Sequence, residues 1–109
     1  MAGHEFAMMP HEPQKGVRFD MYEPQKYACI AVPDDAIEGI LPKLAEIEFY
    51  HHVVDEPKKG LAYCGITLIP PTSERSFIEA IGNSAELDKL RTLLETAVMF
   101  DKWVIHFGI

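Results

Sequence analysis

Residues 48–69 combine two apolar segments with a polar break between them. The first segment is EFYHHVV and the second is GLAYCGITLI, and both are rich in the aromatic and β-branched residues that strands prefer. The break between them, DEPKKG, has an ordinary length for a hairpin loop. The pattern predicts an antiparallel hairpin in which His51 lies opposite Cys64.

Two further strands and several helical segments flank this hairpin. The run KYACIAV predicts a strand over 26–32 that stops at Pro33. Helical spacing of apolar residues then predicts a helix capped by Asp34 and interrupted by Pro42. Beyond the hairpin, a short helix ends at residues 82–83, and a second follows with a buried stripe. The members of that stripe are Leu87, Leu90, Leu94 and Ala97. The last run, KWVIHFGI, predicts a strand with Trp103 in the core.

This order of elements indicates an α+β domain. The simplest arrangement for β-α-β-β-α-β is a ferredoxin-like sandwich, an antiparallel sheet with its helices on one face. The preference for right-handed crossovers predicts the spatial order 4-1-3-2, with the first and last of these strands paired at the centre. We expect the helices to lie on the side of the sheet that carries Ile30 and Ile66.

The chain divides at about residue 25. Residues 1–25 are punctuated by Pro10, Pro13, Gly16 and Pro24, which predicts an irregular N-terminal tail that packs on the domain formed by residues 26–109. Within the tail, VRFDMY alternates apolar and polar residues, so residues 17–22 are expected to form a short edge strand.

The net charge of −7 is concentrated in one segment. Residues 34–48 hold five carboxylates and one lysine, a local charge of −4. A nucleic-acid-binding protein needs a basic stripe, and the sequence has none. The acidic segment predicts a surface that engages a basic protein partner, a property typical of small immunity proteins, antitoxins and other inhibitors. Its expected partner-binding residues are Asp35, Glu38, Glu46 and Glu48.

A second hypothesis places the function on the face of the sheet away from the helices. In the predicted order, Cys29, His52, Tyr63 and His106 form a row across that face. A surface with this many aromatic side chains should be shielded from water. The N-terminal tail, a second subunit or a small ligand would each cover it. The alternative function is therefore a ligand-binding or enzymatic dimer that uses this face, with a homodimer formed through it.

Evidence for catalysis in the sequence is limited to residue types. If His51 lies opposite Cys64, the two residues are of the types that serve as general base and nucleophile. The sequence nearby offers no third group that would orient the histidine. The sequence lacks the common phosphate-binding, hydrolase and zinc motifs, so no catalytic residue, metal or cofactor is predicted. No apolar run approaches the roughly 18 residues of a membrane span, and the N-terminal residues do not resemble a secretory signal. We expect a cytoplasmic protein.

Overall fold

The computed structural model describes residues 3–109 and shows an α+β domain with an antiparallel sheet, as predicted. The six strands are β1 (Gly3–Met8), β2 (Ile30–Pro33), β3 (Glu48–His51), β4 (Pro57–Lys59), β5 (Ile66–Ile69) and β6 (Val104–Phe107). The four α-helices are α1 (Asp34–Glu38), α2 (Leu41–Leu44), α3 (Pro71–Ile81) and α4 (Asp88–Phe100). Single 3-10 turns occupy Pro24–Lys26 and Ala85–Leu87.

The order of the strands differs from the predicted ferredoxin-like order. The sheet runs β2-β1-β6-β5-β3-β4, so β2 lies at an edge and is separated from β6 by β1. Residues 3–8, predicted to be irregular, pair with β2 on one side and with β6 on the other. Pro10 and Pro13, which follow this strand, favoured an irregular segment. The stretch HEFAM nevertheless has strand character, and its backbone groups form hydrogen bonds with a strand on each side. Residues 1–2 of the predicted tail lie outside the described part of the chain.

The connection between β5 and β6 explains why these two strands are neighbours, although the predicted order kept them apart. A single crossover helix would return the chain to the starting end of β5 and make the next strand parallel to it. Here two helices, α3 and α4, carry the chain out and back. The chain therefore enters β6 at the end where β5 finished, and the two strands pair directly and antiparallel.

The hairpin is shifted by three residues from its predicted register. His51 pairs with Thr67 instead of Cys64, because part of the expected loop forms β4 and pairs with β3. An odd shift reverses the faces of a strand. Ile66 and Leu68 consequently lie away from the helices, whereas Ile69 packs with them. The last strand is reversed as well, with His106 on the helix side and Phe107 on the other.

The helices cover one face of the sheet and form the larger core. The predicted stripe, which begins in the Ala85–Leu87 turn and continues along α4, is buried there, with Leu87, Leu90, Leu94 and Ala97 each at most 1% exposed. Helix α1 ends at Glu38, and a separate helix α2 begins at Leu41 with Pro42 in its first turn. The predicted interruption at Pro42 is therefore confirmed. Phe6 of β1 and Phe49 of β3 both contact Phe77 of α3, which joins the N-terminal strand to this core.

Residues 9–29 lie across the other face. Met9, Phe19 and Tyr27 pack on the side chains that point away from the helices. Backbone hydrogen bonds hold this covering segment in place, from Met9 to Trp103 and from Phe19 to His52, both at 2.8 Å. The predicted edge strand over residues 17–22 is wrong, since that stretch has no strand partner. Trp103 is half-buried against Tyr50 and does not belong to the fully buried core.

Candidate functional site

A continuous set of polar contacts crosses the helix side of the sheet. His4, Thr67 and His106 are fully buried there, on three neighbouring strands. His4 Nδ1 lies 2.8 Å from His106 Nε2, and His106 Nδ1 lies 3.1 Å from Thr67 Oγ1. The backbone N–H of Ala62 donates to the same hydroxyl oxygen at 2.8 Å. Burial of so many polar groups is tolerated because each one has a partner.

These contacts lead to the start of α1. His4 Nε2 lies 2.9 Å from Asp34 Oδ1, and the hydroxyl of Tyr63 donates to the same oxygen. The ring of Tyr63 meets the ring of His4 edge to face, with centroids 5.2 Å apart. We call the resulting set the polar chain; its members are Thr67, His106, His4, Asp34 and Tyr63.

The environment fixes the charge of most of the polar chain. Burial, followed by the nearby His4 and His51, lowers the pKa of His106 to about 3, so this imidazole is neutral at physiological pH. Hydrogen bonds from Tyr63 and then His4 lower the pKa of Asp34. The bond to Asp34 in turn raises the pKa of Tyr63, which keeps its hydroxyl protonated. The polar chain therefore ends in an ionised carboxylate.

One proton assignment gives every ring nitrogen a partner. Thr67 donates to His106, whose Nε2–H donates to His4, whose Nε2–H donates to Asp34. Both nitrogens of each histidine are then engaged within the fold. His4, His106 and Thr67 are all fully buried, so no substrate reaches a ring nitrogen or the hydroxyl. The arrangement ties β1, β5, β6 and α1 together and holds Asp34 in place.

At the surface, the polar chain meets a group of carboxylates. Oxygens of Asp34, Asp35 and Glu38 all lie within 4.8 Å of one another, and the latter two side chains are exposed. The hydroxyl of Tyr63 is also 3.4 Å from Glu38 Oε1. Within residues 3–109, no Lys or Arg forms a salt bridge to any of the three carboxylates. Such oxygens are the donor type that hard divalent cations prefer. We call Asp34, Asp35 and Glu38 the α1 carboxylates.

The other two predicted partner-binding residues lie elsewhere. Glu46 follows α2 and forms a 3.2 Å salt bridge with Lys59. Glu48 begins β3 and pairs across the sheet with the same lysine. The predicted acidic surface thus divides into two parts: the α1 carboxylates, which no described Lys or Arg salt-bridges, and a pair of glutamates beside Lys59.

The row predicted for the alternative site does not form. Tyr63 and His106 belong to the polar chain on the helix side, whereas Cys29 belongs to the covering segment and packs on the opposite face. His52 also points toward that segment, with its Nδ1 2.8 Å from the carbonyl oxygen of Phe19. Burial, followed by the charge of Glu5, raises the pKa of the Cys29 thiol, which disfavours the reactive thiolate.

The other sequence-based candidate, His51 with Cys64, is separated by the register shift. His51 Nε2 lies 2.8 Å from the carbonyl oxygen of Gly60, and Cys64 is exposed in the loop before β5. No hydrogen bond joins the two side chains in the described structure. The predicted site residues did not include His4, Thr67 or Asp34. Asp34 was predicted to cap α1, but it is the first residue of that helix and the helix has no side-chain cap hydrogen bond. His4 and Phe6 are two residues apart, so they lie on the same face if this stretch is a strand. That spacing could have identified the strand and the face that His4 occupies.

A cavity of about 380 Å³ lies between the covering segment and the sheet. Phe19, Tyr27 and Phe107 are among the side chains that line it. The charges at its edge are paired with one another, Arg18 with Asp20 and Lys26 with Glu23. It contains none of the four residues proposed for the alternative site.

No protein-family model, curated protein or solved structure matches this chain. Among the described helices, none combines the length and the apolar character needed to cross a membrane.

Proposed function

We propose that this protein is a small cytoplasmic protein-binding module whose α1 carboxylates engage a basic segment of a partner protein. The role of an immunity protein, antitoxin or other inhibitor fits such a module. The observation that carries the proposal is the convergence of three carboxylates within 4.8 Å without a Lys or Arg salt bridge from the described residues. In a chain with a net charge of −7, such a group attracts cationic partners and speeds their association.

The polar chain supports this use of α1. Hydrogen bonds from His4 and Tyr63 keep Asp34 ionised and fix its orientation before any partner arrives. A carboxylate held in this way loses little conformational freedom on binding. The guanidinium group of arginine matches carboxylates in planar, two-point geometry, so an arginine-containing segment is the favoured partner.

The same geometry favours binding over catalysis. His4 and His106 are fully buried and out of reach of a substrate, and burial raises the pKa of the Cys29 thiol, which disfavours its thiolate. The α1 carboxylates lie at an exposed surface, where water is not excluded from a reacting group.

The test uses an arginine-rich peptide and an acidic peptide of equal length as probes. Asp35→Asn combined with Glu38→Gln should weaken binding of the basic peptide severalfold and reduce its dependence on salt. Glu12→Gln combined with Glu56→Gln is the matched control, because both side chains are exposed and the net charge changes equally. Asp34 is left unchanged, since its loss would leave His4 without its partner.

Glu46→Gln combined with Glu48→Gln separates the two halves of the predicted surface. Lys59 already offsets these charges, so we expect a smaller loss of binding than for the α1 variant. Binding can be measured by fluorescence anisotropy from low to moderate ionic strength. If the α1 variant and the matched control bind the basic peptide equally well, net charge alone accounts for the attraction and the proposed site is wrong.

A further inference from the structure

The outer side of the helix pair carries a groove that the fold itself does not fill. Its volume is about 630 Å³, and its lining residues are Arg75, Ile78, Glu79, Glu95, Val98 and Met99. Met99 is 77% exposed, and its neighbour Phe100 is 61% exposed. Large apolar side chains grouped on one surface in this way are typical of an interaction site.

The charges in this groove are separated along its length. The helices α3 and α4 follow β5 and return the chain to its antiparallel neighbour β6, so they run antiparallel and the start of α3 lies beside the end of α4. Arg75 therefore lies at the end of the groove that holds Met99, and Glu79 and Glu95 lie toward the other end. Among the described residues, none of these three charged side chains forms a salt bridge. Arg75 and Glu79 are one helical turn apart, about 6 Å along the axis of α3, so the positive and negative charges of the groove are offset by that distance.

We propose that this groove is the interface of a two-fold symmetric homodimer. A two-fold axis perpendicular to the groove exchanges its ends, so the Arg75 end of each copy faces the Glu79 and Glu95 end of the other. The same operation places the exposed Met99 of one copy against apolar groove residues of the second. A groove with opposite charges at its two ends is complementary to itself, which favours a second copy as the occupant.

This interface differs from the homodimer predicted through the open face of the sheet. Residues 9–29 already cover that face. The groove also contains none of the α1 carboxylates. Dimerisation through α3 and α4 and binding of a basic partner at α1 are therefore separable, and each can fail without the other.

The first test is the association state of the full chain across a concentration series, by light scattering or sedimentation at about 0.15 M salt, which screens the repulsion between two copies of net charge −7. We expect a reversible dimer with a Kd on the order of micromolar. Arg75→Glu makes both ends of the groove negative and should weaken the dimer at least tenfold. Lys89→Glu is the matched control, because it makes the same change of charge at an exposed position outside the groove, and it should leave the dimer intact.

The second test is a rescue in trans. The Arg75→Glu protein has an anionic groove, and a Glu79→Arg, Glu95→Arg protein has a cationic one. Each should be monomeric alone, and a mixture of the two should form a heterodimer. A wild-type chain that stays monomeric at every concentration overturns the proposal and leaves the groove to a partner of different sequence. Equal dimerisation of wild type and Arg75→Glu also overturns it.

Discussion

A carboxylic acid is buried in the first turns of α3, and its titration should control how stability depends on pH. Glu74 is fully buried, and neither of its carboxyl oxygens has a hydrogen-bond partner in the described structure. Burial, followed by the negative charge of Asp101, raises its pKa to about 8 from an ordinary value of 4.5. The folded protein therefore holds a proton on Glu74 between these pH values, where the unfolded chain has released it.

The sign of the effect follows from this difference in bound protons. Stability contributed by protonated Glu74 is fully present below pH 4.5 and is lost as the pH rises through about 8. The slope has an upper limit of about 1.4 kcal/mol per pH unit. From pH 6.5 to 8, that slope permits a loss of at most about 2 kcal/mol from Glu74.

His106 acts in the opposite direction over an adjacent range. Its pKa is about 3 in the folded protein and 6.5 ordinarily, so the unfolded chain binds the extra proton between these values. Its contribution to stability is full above pH 6.5 and falls as the pH is lowered toward 3. The two effects oppose each other between about pH 4.5 and 6.5. We expect the free energy of unfolding to be nearly flat there and to decline above pH 6.5.

Urea unfolding followed by the fluorescence of Trp103, the single tryptophan, measures this profile. Glu74→Gln removes the titrating group and should abolish the decline above pH 6.5. Glu74→Met also removes the unpartnered polar atoms and should be more stable than wild type by about 1–3 kcal/mol at pH 8.5, with a smaller gain at pH 5. Parallel profiles for wild type and Glu74→Gln from pH 5 to 8.5 would refute the assignment of this decline to Glu74.

Two further predictions concern how the chain ends are held. Deleting residues 1–8 removes a central strand along with His4 and Phe6, so the far-ultraviolet circular dichroism should show loss of the folded state; a folded truncated protein would contradict the observed sheet order. Gly108→Ala should destabilise the protein and raise the exposure of Tyr63, because a Cβ at this position would overlap the carbonyl group of Tyr63. Unchanged urea unfolding for Gly108→Ala would show that the loop before β5 adjusts freely.

The sequence by itself determined the features that depend on neighbouring residues. Spacing along α4 identified Leu90 and Leu94 as buried, and the position of Pro42 marked the break between α1 and α2. Strand-like segments around residues 30, 50, 67 and 105 were also identified, so the α+β class with an antiparallel sheet followed. These features are local because helix periodicity and proline geometry act within a few residues.

Only the tertiary structure decided which strands became neighbours and which faces met the helices. The N-terminal strand inserted between β2 and β6, and a three-residue shift of β5 moved Thr67 to the helix side. The polar chain depends on both events, since it joins His4 to residues more than 60 positions away in the sequence. Strand order and register are set by the burial of whole faces and by the pairing of distant backbone groups. No short stretch of sequence contains that information.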